Sequence, residues 1–528
     1  MKSLKILDVT LRDGGCVIDF NFGQSYMEQI LSSVEQSGAD IIELGYLDAK
    51  KGSEQGRTQY VNEQVISKFF LKDKKPGITY VAMFDYGKFD PEVLVPYDGK
   101  GIDGIRIAFH KKDRKNVIPV AKKVLEKGYK LYMQPMVIMR YSDLEILELI
   151  DMVNTELPKA TAFYVVDSFG EMRANDLNRV VHLVDNNLLP GMTMGFHSHN
   201  NLQLSYSNAV TMLQFYTNRD LIIDSAVLGM GKGAGNLNTE LFMEHLNIFY
   251  NKHYQIAPLL EVIDKVLSTI RAEYYWGYSI EYYLSSVNHC TPSYAGHFYK
   301  KHMLPVEKVA ELLSLIAEEK KISFDQEYAE QLYLSYNARQ HLNDDPVIQK
   351  ITETVAGKRV LLIAPGKSLA ENVSEIAKMA AEDGVISISL NSFDFIEPDY
   401  VLTTRVDAFE KAVNAEKNII TTSGVTDTHD DKVMVIDYEK WVTVENGVQD
   451  SSGIIALKLI SSCGASEIIL AGFDGFSVDI NQNYYDKTMR HPVTEEQARE
   501  RNEYFRTYVN RLRSIVPITF LTPSLYEE

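Results

Sequence analysis

At 528 residues the chain exceeds what one hydrophobic core sustains, so two or three domains are expected. Its net charge of −18 excludes a generic nucleic-acid-backbone binder, which needs a basic face, and no apolar run is long enough to span a bilayer. Cys16, Cys290 and Cys463 lie too far apart to form a metal-type pair, and strand-like sequence begins at once with no signal peptide before it, so a reducing cytoplasm is the expected compartment.

Short apolar runs alternate with longer amphipathic stretches through the first 250 residues. The runs are KILDV (5–9), DIIELGY (40–46), ITYVAMF (78–84), GIRIAFH (104–110), KLYMQPMV (130–137), AFYVVDS (162–168), MTMGFHSH (192–199) and LIIDSAV (221–227). The stretches between them, such as SYMEQILSSVEQSG, close on a glycine suited to a helix C-terminus. Nearly all-apolar strands are expected where helices cover a parallel sheet. Eight strand–helix units at this length predict an α/β fold, a (β/α)8 TIM barrel over residues 1–254, in preference to an open doubly wound sheet.

Residues 255–350 turn helical and tyrosine-rich, as in AEYYWGYSIEYYLSSVNHCTPSYAGHFY, and predict a helical appendage. Strand patterns return in KRVLLIAPGKSL, VISISLN, YVLTT, NIITTS, VMVID, EIILAGFDG and PITFLT, which predict a Rossmann-like α/β domain over 351–528.

Functional groups of such a barrel gather at the C-terminal ends of its strands. Arg12 and Asp13 follow strand one, Glu43 lies late in strand two, Arg106 on strand four and Gln134 on strand five. Asp167 ends strand six, His197 and His199 end strand seven, and the glycine-rich GMGKGAGN (229–236) follows strand eight. His197 and His199, two apart on a strand, project to one side. With Asp13 they make a divalent-metal donor set, since strands one and seven lie two apart around a closed barrel. Arg12 offers a fixed positive charge for an enolate or a carboxylate, and an ion pair with Glu43 is compatible with that role. Asp167 reads either as an acceptor orienting a histidine or as a strand-end cap. Asn236 reads either as a further metal ligand or as a turn residue, and Glu43 too is a possible metal ligand or a residue supporting one. Gly366 and Ser368, after a strand, could offer N–H groups to a phosphate at a helix start, although the run is not a Walker A motif.

DVTLRDGG, YVVDSFGEM, GFHSHNNLQLSYSNA and GMGKGAGNLNTE resemble the motifs of the metal-dependent lyase and synthase barrels. These include 3-hydroxy-3-methylglutaryl-CoA lyase, the isopropylmalate and homocitrate synthases and, nearest in pattern, 4-hydroxy-2-oxovalerate aldolase. The resemblance covers roughly residues 5–340 and extends into WGYSIEYYLSSVNHCTPSYAGHFY. It implies a divalent ion, Mn or Mg, held by Asp13, His197 and His199, and reversible aldol chemistry on a 2-oxo acid through a pyruvate enolate. It also implies catalytic parts for Arg12 and for Tyr278, whose alternative is a core aromatic. Cys16 stands where these aldolases carry a proton-transferring histidine. Either the thiol does that work or another group takes the proton, Lys232 among the alternatives. Two other readings stay open: an acyl-CoA-dependent Claisen-type synthase or lyase, and an inactive barrel serving as a binding module. The last domain faintly resembles nucleotide-sugar-using transferases, which implies a nucleotide-sugar partner there. A homo-oligomer is expected, with neither nucleic acid nor membrane among the partners.

Overall fold

The computed structural model describes residues 3–50, 53–70, 74–301, 304, 306–338, 342–426, 428, 430–445, 448–486, 489 and 493–527. The chain packs as two units, Met1–Ala295 with Ala317–Phe324, and Gly296–Ile316 with Asp325–Glu528. The helical stretch after the barrel is thus divided between them. Helices Ala257–Val262, Ser268–Glu273 and Ile280–Val287 belong to the first unit. Helices Val306–Ser314, Gln326–Ala338 and Asp345–Val355 belong to the second.

The first unit is a closed parallel barrel of eight strands: β1 (Leu4–Asp8), β2 (Ile41–Leu47), β3 (Thr79–Asp85), β4 (Gly104–Phe109), β5 (Lys130–Pro135), β6 (Ala162–Asp167), β7 (Thr193–Ser198) and β8 (Leu221–Ser225). β1 closes the ring by pairing with β8 along Leu4–Asp8 and with β2 at Leu7 and Asp8. Two apolar shells result. The larger lies between strands and helices and includes Ile6, Ile30, Ile105, Leu177 and Phe242. The smaller fills the barrel with Leu7, Ile41, Val81, Tyr132, Tyr164 and Ile222. Charged side chains share this interior, and those charges position the site.

The second unit carries a parallel sheet of β9 (Arg359–Ile363), β10 (Val385–Leu390), β11 (Tyr400–Thr403), β12 (Ile419–Thr422), β13 (Val433–Ile436), β14 (Glu467–Ala471) and β15 (Ile518–Phe520). Their order is β13-β12-β11-β10-β9-β14-β15, so the sheet is doubly wound with its reversal at β9. Among the described residues, no helix is long and apolar enough to cross a membrane.

Candidate metal centre

β1 ends at Asp8, and the chain turns through Arg12 and Asp13 into a short 3-10 helix, Gly14–Ile18. The Asp13 N–H donates to the Val9 carbonyl at 2.8 Å, which fixes the turn. β7 delivers His197 and His199 from the other side of β8, with ring centres 5.3 Å apart and planes nearly perpendicular. One ligand atom from each of Asp13, His197 and His199 lies within 4.8 Å of the others, and all three residues are buried. The loop after β8 adds Asn236, paired with His199 by an isolated antiparallel bridge. Its amide donates to Asp13 Oδ2 at 2.6 Å and to the Met230 carbonyl at 3.1 Å.

Beneath these residues a network of charges spans the barrel. Arg12 donates to Asp13 Oδ1 at 2.7 Å and to Glu43 Oε2 at 2.7 Å. Arg106 donates to the same Glu43 oxygen at 2.9 Å and, by a short contact, to Asp224 Oδ2. That Asp224 oxygen also meets His197 Nδ1 at 2.9 Å. Gln134, with its amide oriented to suit its neighbours, accepts from Arg106 at 3.0 and 3.2 Å, and the guanidinium lies 4.9 Å from the Tyr164 ring centre. Three carboxylates, Asp13, Glu43 and Asp224, face two guanidiniums, which leaves one excess negative charge at a buried site.

The titration directions agree with this picture. Burial alone would raise Asp13, but Arg12 and the two imidazoles outweigh it and hold the carboxyl below its usual range. Burial likewise opposes Asp224, and Arg106 and His197 keep it low. Burial moves His199 down to about 4, so its ring is neutral and open to coordination at neutral pH. His199 Nδ1 and Asn236 Oδ1 are buried without a hydrogen-bond partner. Orphaned acceptors beside an ionised acid suit a divalent cation: a neutral imidazole and an amide oxygen both donate lone pairs. His197, tied through Nδ1 to Asp224, has Nε2 available to a cation, the usual carboxylate–histidine–metal arrangement.

Sequence reasoning missed Asp224 as the group that orients His197. The signal was present, since Asp224 is the one acid in the otherwise apolar LIIDSAV, and a buried strand acid needs a partner. Asp167 takes the cap role: its carboxylate accepts from the Glu171 and Met172 N–H groups, both at 3.0 Å, and burial with Glu171 raises it to about 7. Glu43 sits under Arg12 rather than at the cation position. Cys16 is solvent-accessible at the barrel mouth, yet the surrounding cleft and Asp13 push its thiol up to about 12. It lines a cavity of about 590 Å³ together with Phe20, Lys232 and Tyr274.

Tyr278 is half exposed, and its backbone carbonyl accepts from the Tyr275 hydroxyl at 3.1 Å. The buried aromatic nearby is Trp276, whose indole donates to the Leu228 carbonyl at 3.0 Å and so holds the loop that carries Asn236. In the second unit, the Ser368 N–H donates to Asp474 Oδ2 at 2.8 Å and the Ser368 hydroxyl donates to Oδ1 of the same carboxylate. An acid therefore already uses the donors that a phosphate at Gly366 and Ser368 would need.

Residues 106–265 match the HMGL-like family. A 4-hydroxy-2-oxovalerate aldolase from Pseudoalteromonas translucida is 27% identical over 270 residues, which is 49% of this chain and 75% of that protein. The 4-hydroxy-2-oxovalerate aldolase of Carboxydothermus hydrogenoformans is 24% identical over 275 residues, 51% of this chain and 78% of its own. The four rim motifs, the closed barrel and the matched segment agree: the barrel of this chain resembles the HMGL-like family and the 4-hydroxy-2-oxovalerate aldolases.

Proposed function

We propose that the first unit is a divalent-metal-dependent aldolase that cleaves, or in reverse forms, a 4-hydroxy-2-oxo acid through a pyruvate enolate. Its coarser class, a carbon–carbon lyase, follows from the family and from the aldolases it resembles. The observation that carries the finer reading is the buried set Asp13, His197 and His199 beside Arg12, in a cluster with one unbalanced negative charge. These residues would hold the ion, with Asn236 positioned to add its Oδ1. Two imidazole donors favour Mn over Mg, which prefers an all-oxygen shell. Bound there, the ion would act as a Lewis acid on the 2-oxo group.

The chain's own residues do the rest. Arg12, locked by Asp13 and Glu43, holds a positive charge where the enolate oxygen develops, and because its partners are fixed it needs no reorganisation as charge builds. Asp224 keeps His197 in one tautomer, and Asn236 keeps Asp13 aimed. The mouth cavity leaves room for the aldehyde end of the substrate.

The test combines metal analysis of the purified protein with deuterium exchange into the methyl group of pyruvate. The reading expects one Mn per chain and Mn-dependent exchange, both lost in Asp13→Asn. Stoichiometric Mn with no exchange and no pyruvate release from 4-hydroxy-2-oxo acids would overturn it in favour of a binding module. Turnover of an acyl-CoA in its place would favour the Claisen-type reading.

A further inference from the structure

Aldol cleavage moves one proton. It leaves the C4 hydroxyl as the C3–C4 bond breaks, the electrons of that bond become the enolate, and a proton returns to C3 to give pyruvate. No further reactant is consumed, so the site needs one group that accepts and returns a proton at neutral pH.

The rim of the barrel offers few. Glu43 is bound by Arg12 and Arg106, and Asp224 by Arg106 and His197. Asp167 caps two backbone N–H groups. Glu171 is held by Arg140 and His289. His197 and His199 belong to the cation set. A free thiol near pKa 8.5 is a weak base at neutral pH, which counts against Cys16. A lysine ammonium such as Lys232 has no lone pair to offer.

His110 remains. It follows the last residue of β4, and its Nδ1 is buried with no hydrogen-bond partner. It feels the charge of Asp85, which ends β3, and of Lys232 in the loop after β8, as well as Asp113 and Lys112 on its own segment. His110 follows β4 and Lys232 follows β8, strands that stand opposite each other in an eight-stranded barrel. The charge of Asp85, at the end of β3, is felt by His110, Arg12 and Cys16 alike. A register shift on β2 between Glu43 and Tyr46 turns Tyr46 toward Asp85, whose N–H donates to the Tyr46 hydroxyl at 3.3 Å. Burial lowers the imidazole of His110, which leaves it neutral and able to accept a proton.

We propose that His110, under the charge of Asp85, carries the proton of the aldol step, accepting it from the C4 hydroxyl and returning it to C3. This inference rests on the aldolase reading above.

The experiment uses the full chain loaded with Mn²⁺. It measures Mn²⁺ affinity by calorimetry, deuterium exchange into pyruvate, and cleavage of 4-hydroxy-2-oxopentanoate. His110→Asn is expected to lower exchange and kcat at least 100-fold while the Mn²⁺ Kd stays within about twofold. Asp85→Asn is expected to lower kcat with little change in KM, and Asp85→Glu to restore part of it. Exchange in His110→Asn at more than a third of wild type overturns the proposal, as does loss of Mn²⁺ binding in that variant, which would make the residue part of the metal scaffold. Loss of exchange in Cys16→Ser with His110→Asn intact assigns the proton to the thiol and also overturns it. Absence of both exchange and cleavage in the Mn²⁺-loaded wild type is a different result, which overturns the aldolase reading itself.

Discussion

Replacing Asp224 with asparagine tests the electrostatic account of the metal centre most directly. The side chain keeps its size, so no cavity opens, and Asn Oδ1 still accepts one hydrogen bond. The charge count changes, however. Three carboxylates against two guanidiniums become two against two, and the buried cluster loses the negative charge that attracts a divalent ion. His197 also loses the ionised acceptor at 2.9 Å that fixes its tautomer. Removal of such an orienting partner typically weakens metal binding 10- to 100-fold, about 1.4–2.7 kcal/mol. Calorimetric titration of the metal-free variant with Mn²⁺ reads this directly. Arg106 keeps Glu43 and Gln134, so the metal-free protein is expected to remain folded by circular dichroism. An affinity within twofold of wild type, in a folded variant, would show that Asp224 neither orients His197 nor contributes its charge to the site.

Gly231→Ala probes the loop after β8, because an added Cβ would collide with the Asn236 amide and lie 2.6 Å from Asp13 Oδ2; weaker Mn²⁺ binding with an unchanged melting temperature is expected in a thermal and calorimetric comparison. Arg12→Lys keeps the charge but loses the fork that engages Asp13 and Glu43 together, so pyruvate exchange is expected to fall about 100-fold or more while metal remains bound. Asp167 gives a pH signature. Its folded value near 7 lies above the unfolded 3.8, so its contribution to stability is fully present below about pH 4 and is lost as pH rises through 7. Against Asp167→Asn, the wild-type stability advantage should shrink by about 2 kcal/mol between pH 5 and 7, and a difference that stays constant with pH would contradict the shift.

The strands were legible because each is a short apolar run ended by polar or turn residues, and eight of them in series have one economical closure. The grouping of Asp13, His197 and His199 was legible for a related reason: the two histidines share a face by strand periodicity, and Asp13 follows the strand two places away. What lay beyond the sequence was partnership inside the barrel. Arg106 in GIRIAFH and Asp224 in LIIDSAV each read as a lone charge among apolar neighbours, and only the closed ring brings them together over a separation of 118 residues. Asp167 shows the opposite limit. An acid at a strand end has both a cap and a histidine partner open to it, and the choice is made by the turn that brings the Glu171 and Met172 N–H groups around it.

The indole of Trp276 has a practical consequence for anyone wishing to study the barrel in isolation. Its bond to Leu228 reaches, through the turn that follows, the amide that steadies Asp13. A fragment cut where the last barrel helix ends, at Phe249, would keep Asp13, His197 and His199 and still lose the clamp that steadies Asp13. Fragments meant to test the proposed metal site must therefore run past Trp276, and a shorter piece that folds but binds metal poorly would be reporting the missing clamp rather than a defective barrel.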